Sequence, residues 1–310
     1  MSNLTLNLNK LLNFDYMRLF FSILLFCLLF PYDECGTQMD IDLSIIQNII
    51  NKNSKHLIDQ SNTRDIRWVP ISYHIVREDN GGGGLPLYRI DDSLVDLNTA
   101  YEGTGLYFYR LGDIDFIDNS EYYTEIDSYD EINELRNVNS IDNSLNVYCV
   151  ASLSNGSSNL CGISSFTSNT SSQGIVMNND CFATHDNHST YPHEVGHYFD
   201  LLHTHTGSVT PDENGIIDGP NSEFVDGTDC NNRGDGLCDT PADPNLDENV
   251  SNSCNYTADF IDGHGDFYLP DTSNFMSYSE KDCRDRFSSE QLEVALSTYD
   301  VHRPELIYPP

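Results

Sequence analysis

The segment HEVGHYFDLLH, His193 to His203, constrains this chain more than any other stretch. On a helix, residues i and i+4 share a face, so His193 and His197 can direct both imidazoles at one ion. Glu194 lies about 100° around from His193, which sets its carboxylate beside that ion, where it can take a proton from a bound water. Two protein ligands hold a metal poorly, so a third is needed. His203 lies six residues beyond His197, about 600° around a continuous helix, or about 240° once a full turn is removed. A straight helix would point it away. The expectation is a helix that stops near Asp200, with Asp200 at positive φ in a place that normally needs glycine; aspartate is among the few other residues that tolerate it. His205 is a rival third ligand, and a distant carboxylate is a remoter one.

Zinc is the default ion for such a set, because it accepts imidazole nitrogen and leaves a fourth position for water in a three-ligand site. The chemistry that follows is hydrolysis, with the ion polarising a carbonyl and Glu194 acting first as base and then as acid. The HExxH spacing also arises on ordinary helix surfaces, so its weight depends on what accompanies it.

Near the start, Lys10 and Arg18 precede twelve mostly apolar residues, Leu19 to Phe30. That run is shorter than the roughly 20 residues a bilayer span takes, and it matches the apolar centre of a secretory signal. We expect a signal peptide over 1–31, a secreted product, and no stable membrane insertion once the signal is removed. Nine cysteines agree with export: Cys27 leaves with the signal, and eight remain for an oxidising compartment. The formal net charge of −34, from 15 Lys and Arg against 49 Asp and Glu, excludes a nucleic-acid partner, since phosphate binding needs a basic surface.

Residues 32–65 read as a propeptide or flexible N-terminal segment. Partial alternation from Val69 to Val76 predicts a strand, "DDSLVDLNTAYE" a helix, and "LYFYRLGDIDFI", "LNVYCV" and "QGIVMNN" further strands. The fold class is therefore α+β, with a mixed sheet in a subdomain over 66–203. The part over 204–310 is rich in Asp, Asn, Gly and Pro and should be loop-dominated, tethered by cysteines or ions. It closes with the helix "SSEQLEVALSTYD", N-capped by Ser288 or Ser289.

Three separately placed motifs give a resemblance. HEVGHYFDLLH resembles the extended metzincin signature HExxHxxGxxH, with Asp200 in place of glycine, and "NFMSYS" around Met276 resembles the metzincin Met-turn. More specifically "GDGLCDTPADPN", "NFMSYSEKDC" and "RFSSEQ" look like the pappalysin family of secreted metalloendopeptidases, over roughly residues 66 to 310. The resemblance implies a metzincin-type catalytic domain, a twisted mixed sheet with active-site and backing helices, acting on protein or peptide substrates. It implies His193, His197 and His203 as zinc ligands, Glu194 as the catalytic glutamate, Met276 as the base of the site, and Tyr278 as a stabiliser of the transition state.

The resemblance also implies calcium in the loop before the Met-turn, with Asp239 and Thr240 of "CDTP" as ligands. Asp226, Asp229, Asp235 and Asp243 lie in the same region, and calcium takes six to eight oxygens. Asp282 falls where related enzymes place the base of the pocket for the residue after the cut bond, which would favour Arg or Lys. Disulfides Cys254–Cys283 and Cys230–Cys238 are implied in the same way. Related zymogens block the zinc with a propeptide cysteine or aspartate; Cys35, Asp33, Asp40 and Asp42 are available. The alternative from another class is a catalytically inactive, calcium-stabilised binding module that kept the fold.

Overall fold

The computed structural model describes residues 33–37, 66–169 and 171–306. The expected signal over 1–31, and 32–65 apart from 33–37, lie outside the described residues.

The organising element is the strand β2 (Arg67–Arg77), whose burial over Val69 to Val76 is continuous, as a strand covered on both faces should be. It pairs in parallel with β3 (Leu106–Arg110), β4 (Asp115–Asp118) and β5 (Leu145–Val150). Beyond β5 come β7 (Ile175–Asn178), parallel to β5, and β6 (Leu160–Ser164), antiparallel to β7. A short β1 (Asp33–Cys35) adds to the outer side of β6, giving the order β1-β6-β7-β5-β2-β3 with β4 also on β2.

Alternation along the strands divides the core. Val69, Ile71, Tyr73 and Ile75 face the helices α1 (Tyr88–Ala100), α4 (Thr190–Tyr198) and α5 (Ser289–His302), packing with Ile90, Leu97, Val195 and Val294. Val76, Tyr148, Val150, Ile163 and Val176 face the other way, against Ile132 and Leu135 of α3 (Tyr129–Leu135). A short α2 (Ser120–Thr124) precedes α3. The period of two thus sorts one strand's residues into two cores.

The sequence reading differs from this at three points. The run "LYFYRLGDIDFI" is two strands, broken where Gly112 takes φ 67°, and both halves pair with β2. The first helix begins at Tyr88, ahead of the expected Asp91. Strand β6 and helices α2 and α3 were not anticipated; β6 is only five residues, LCGIS, with no alternation to mark it.

After His203 the chain leaves the sheet. Its regular structure to residue 288, among the described residues, is one two-stranded pair, β8 (Ile216–Ile217) with β9 (Ile261–Asp262), and one turn of 3-10 helix, Cys230–Asn232. Small apolar clusters, one of Ile217, Ala242 and Tyr268 and another of Leu246, Val250 and Cys283, are fastened by Cys230–Cys238 and Cys254–Cys283. A third disulfide, Cys161–Cys181, ties β6 to the segment leading into α4. Helix α5 opens with a capping box, Ser288 with Gln291, and Gln291 also binds Asn274 beside Met276. The closing helix is therefore coupled to the floor of the site.

Candidate metal centre

Helix α4 carries Pro192 in its first turn, where no backbone donor is required. The Ser189 hydroxyl donates to Lys281 O, and Asn187 Oδ1 accepts from Thr190 N–H, so the helix start is pinned before the first ligand arrives. The helix ends at Tyr198. Phe199 N–H and Leu201 N–H close on the last carbonyls, and Asp200 takes φ 64° in the left-handed region, as a returning chain requires. That turn brings His203 back.

The three Nε2 atoms converge: His193 to His203 is 3.2 Å, His197 to His193 3.1 Å, and His197 to His203 3.0 Å. These are not hydrogen bonds in the ordinary sense. His193 Nδ1 donates to Phe275 O at 2.6 Å and His197 Nδ1 to Leu201 O at 2.7 Å, so each ring turns an unprotonated Nε2 lone pair inward. The His203 Nε2 completes the cluster, and a cation among the three nitrogens would take a lone pair from each imidazole. Tetrahedral zinc with bonds of about 2.0–2.1 Å would set the nitrogens about 3.3 Å apart, close to what is found. Burial first, and then neighbouring imidazoles, push His193 and His203 well below the usual histidine range; burial brings His197 down to about 3. The neutral imidazole is the ligand form.

His205, the rival, does not join. Its ring stacks on His203 at 4.9 Å and lies 4.4 Å from Tyr278. Met276 is fully buried under α4, and a Cβ on Gly196 would meet its sulfur at 2.5 Å, so only glycine lets the helix settle on this floor. The Tyr278 ring lies 4.7 Å from that of His203. Glu194 is buried against β6, where Gly162 makes room: a Cβ there would meet Glu194 Cγ at 2.7 Å.

The N-terminal segment lies along the same edge. Asp33 is opposite Leu160 and Cys35 opposite Gly162, and Cys35 Sγ groups with the three histidine nitrogens, all within 4.8 Å of one another. Tyr278 donates to Cys35 O at 3.3 Å, Thr37 Oγ1 donates to Glu194 Oε2 at 3.2 Å, and Ser164 N–H donates to Thr37 Oγ1. Asp40 and Asp42 lie outside the described residues, as does the side chain of Asp33.

Other expected residues take other places. Thr240 is buried and donates to Asp235 Oδ1, whereas Asp239 is exposed and its Oδ2 accepts from Glu290 N–H at the start of α5. The buried carboxylates nearby are Glu223, Asp235 and Asp243. Asp282 is exposed; the buried charge of that segment is Arg284, which donates to Ser277 O and lies near enough to His193 and His203 to lower their basicity. Sequence reasoning missed Thr37, Thr167 and Arg284, which carry no motif of their own.

Comparisons with known proteins agree with this geometry. Residues 88–204 match the model of the metallo-peptidase family M12B, reprolysin-like. Among solved structures the chain is similar to a Tannerella forsythia promirolysin variant, at 17% identity and TM-score 0.53, covering 88% of this chain and 96% of that one. It is also similar to mature mirolysin of the same organism in complex with a cleaved peptide, at 18% identity and TM-score 0.56, covering 79% and 97%. No curated protein matches it. At these identities the likeness is one of fold: the chain has the α+β metzincin-type catalytic fold with a three-histidine zinc site.

Proposed function

We propose that this zinc metallopeptidase is a secreted endopeptidase of the pappalysin kind, held latent by its own N-terminal segment until that segment is removed. The observation that carries the reading is one arrangement: three converging Nε2 atoms, a buried carboxylate beside them, and an edge strand already paired with an extended segment. An extended peptide on β6 would run past the same atoms. Mature mirolysin, of like fold, was solved with a cleaved peptide, which supports a peptide ligand here.

Zinc held by His193, His197 and His203 would supply Lewis acidity toward water and the scissile carbonyl. Glu194 takes the proton of the attacking water and returns it to the leaving amine. The Tyr278 hydroxyl, released from Cys35 O, donates to the developing oxyanion. The exposed position of Asp282 gives no support to a preference for Arg or Lys after the cut bond.

Latency is assigned to Cys35, whose thiolate would complete the tetrahedron and keep water away. Calcium is assigned to the loop before the Met-turn. Glu223 Oε2 and Asp235 Oδ2 are buried without partners, and burial followed by neighbouring carboxylates raises Glu223 to about 9. Buried carboxylates in that condition are held by protons or by a hard cation.

The test is to express the chain from residue 32, measure bound zinc, and follow peptide cleavage before and after proteolytic release of the N-terminal segment. One zinc per chain, latency relieved by release or by Cys35→Ala, and loss of cleavage in Glu194→Ala are expected. A folded preparation without zinc, or an active Glu194→Ala variant, refutes the reading.

A further inference from the structure

Beside the C-terminal end of β6, among residues of α3 and of the chain leaving the strand, lies a cavity of about 400 Å³, lined by Tyr129, Asn133, Arg136, Ile163, Ser164 and Phe166 among others. Its walls hold two buried polar atoms without a hydrogen-bond partner, Arg136 Nε and Ser164 Oγ. The Arg136 side chain is almost wholly buried, and its Nη2 donates to Ile163 O at 2.9 Å. No carboxylate lies within ion-pair distance of it among the described residues, although the charge of the buried Glu194 reaches it. Burial lowers its guanidinium to about 10 and Glu194 opposes that, so it stays cationic at neutral pH. A buried cation with a donor left unmet is costly unless something anionic comes within hydrogen-bond reach of that donor.

The place of this cavity relative to the zinc site follows from the register of β1. Cys35, at the zinc ligands, is opposite Gly162; two residues on, Thr37 meets Ser164 N–H, and Tyr129 of the cavity wall donates to Gly36 O. A peptide lying on β6 therefore passes the cavity mouth two to three residues from the bond at the metal. Side chains of an extended peptide alternate between the two faces of the strand, so one of them turns toward Arg136.

We propose that this cavity is a specificity subsite that binds the carboxylate of an Asp or Glu side chain in the peptide, through Arg136 and Ser164. This rests on the endopeptidase reading above. A chain with net charge −34 repels acidic ligands at long range, so an acidic residue is accepted at this position only through a local, desolvated cation. Arginine suits the role because its planar fork can hold Ile163 O with one nitrogen and a carboxylate with others.

The test uses the zinc-loaded chain after limited proteolysis has released its N-terminal segment, with peptides that carry Asp, Glu, Asn, Gln or Ala at each position near the cut. At one position, two or three residues from the scissile bond, Glu or Asp should exceed Gln or Asn in kcat/KM by about tenfold, carried by KM. Arg136→Gln should bring that ratio close to one, and Arg136→Lys should keep part of it. Should Arg136→Gln not fold, because Ile163 O loses its donor, Ser164→Ala decides, with a reduced ratio expected. Peptides cleaved with no acidic preference at any position, or a ratio undiminished in these variants, overturn the subsite alone. A zinc-loaded chain that cleaves none of the peptides overturns the endopeptidase reading instead.

Discussion

Asp200 accepts two hydrogen bonds from Thr167, from the backbone N–H at 2.9 Å and from the hydroxyl at 2.7 Å. The residue that stands where the metzincin signature has glycine thus both makes the left-handed turn and fastens the end of α4 to the chain leaving β6. Burial raises its carboxyl above the usual range, and the two bonds from Thr167 oppose that.

Asp200→Gly should keep the turn and one zinc per chain but lose the tether, lowering stability by about 1–2 kcal/mol. Asp200→Ala loses the tether and, unlike the glycine variant, still holds φ 64° with a Cβ, so a loss about 1 kcal/mol greater than that of Asp200→Gly and weaker zinc binding are expected. Chemical denaturation and zinc titration measure both; equal losses in the two variants would show that the backbone angle does not matter.

Gly196→Ala drives a methyl into Met276 Sδ, and the helix carrying two ligands must lift from its floor. A loss of about 1–3 kcal/mol is expected for this overpacking, with weaker zinc binding. Met276→Ala placed in the same chain should recover part of it. No recovery would mean that α4, rather than the sulfur beneath it, resists the methyl.

Gly162→Ala presses on Glu194 from the side of β6 without touching a zinc ligand. Zinc content should be unchanged while kcat falls roughly a hundredfold, the scale of an ångström's misplacement of a reacting group. Equal loss of zinc and activity would place the damage in the ligands instead.

Glu223 is raised to about 9 and Asp235 to about 8 in the folded chain, against ordinary values of 4.5 and 3.8, in each case chiefly by burial. The folded state therefore holds protons that the unfolded state has released over the intervening pH range, and stability falls as pH rises. In chelator this contribution is complete below about pH 4 and lost by about pH 9. On the proposed reading calcium replaces the protons, so its addition should flatten the fall and release protons at pH 7. Melting temperature against pH, with and without calcium, checks this; Glu223→Gln with Asp235→Asn should remove the fall between about pH 7 and 9, above the range of Asp243 and the buried histidines, and a fall there indifferent to both would overturn it.

The catalytic geometry was legible in the sequence because rotation about a helix axis is arithmetic. His193 and His197 share a face, His203 does not, and the chain had to break near Asp200. Ser288 and the spacing of "SSEQLEVALSTYD" marked the closing helix for the same reason. What lay beyond reading depended on partners distant in sequence. LCGIS has no pattern that marks an edge strand, and its role rests on pairing with β7 on one side and β1 on the other. Arg136 and Ser164 look like ordinary polar residues until α3 and β6 enclose them. Asp239 and Asp282 illustrate the converse: motif position suggested a calcium ligand and the base of a substrate pocket, while the fold leaves both exposed, one accepting the Glu290 N–H in the first turn of α5 and the other near His185.

The strand β1 also covers backbone donors and acceptors of β6 that face outward from the sheet. On the proposed release of the N-terminal segment, those groups would form an open ladder, equally able to pair with a peptide or with the same ladder on another molecule. The strongly acidic composition would then work as a colloidal guard: like-charged copies are kept apart, while a weakly charged extended peptide can still approach. On that reading, an acidic surface on this chain is the counterpart of an enzyme that must leave one sheet edge bare in order to work.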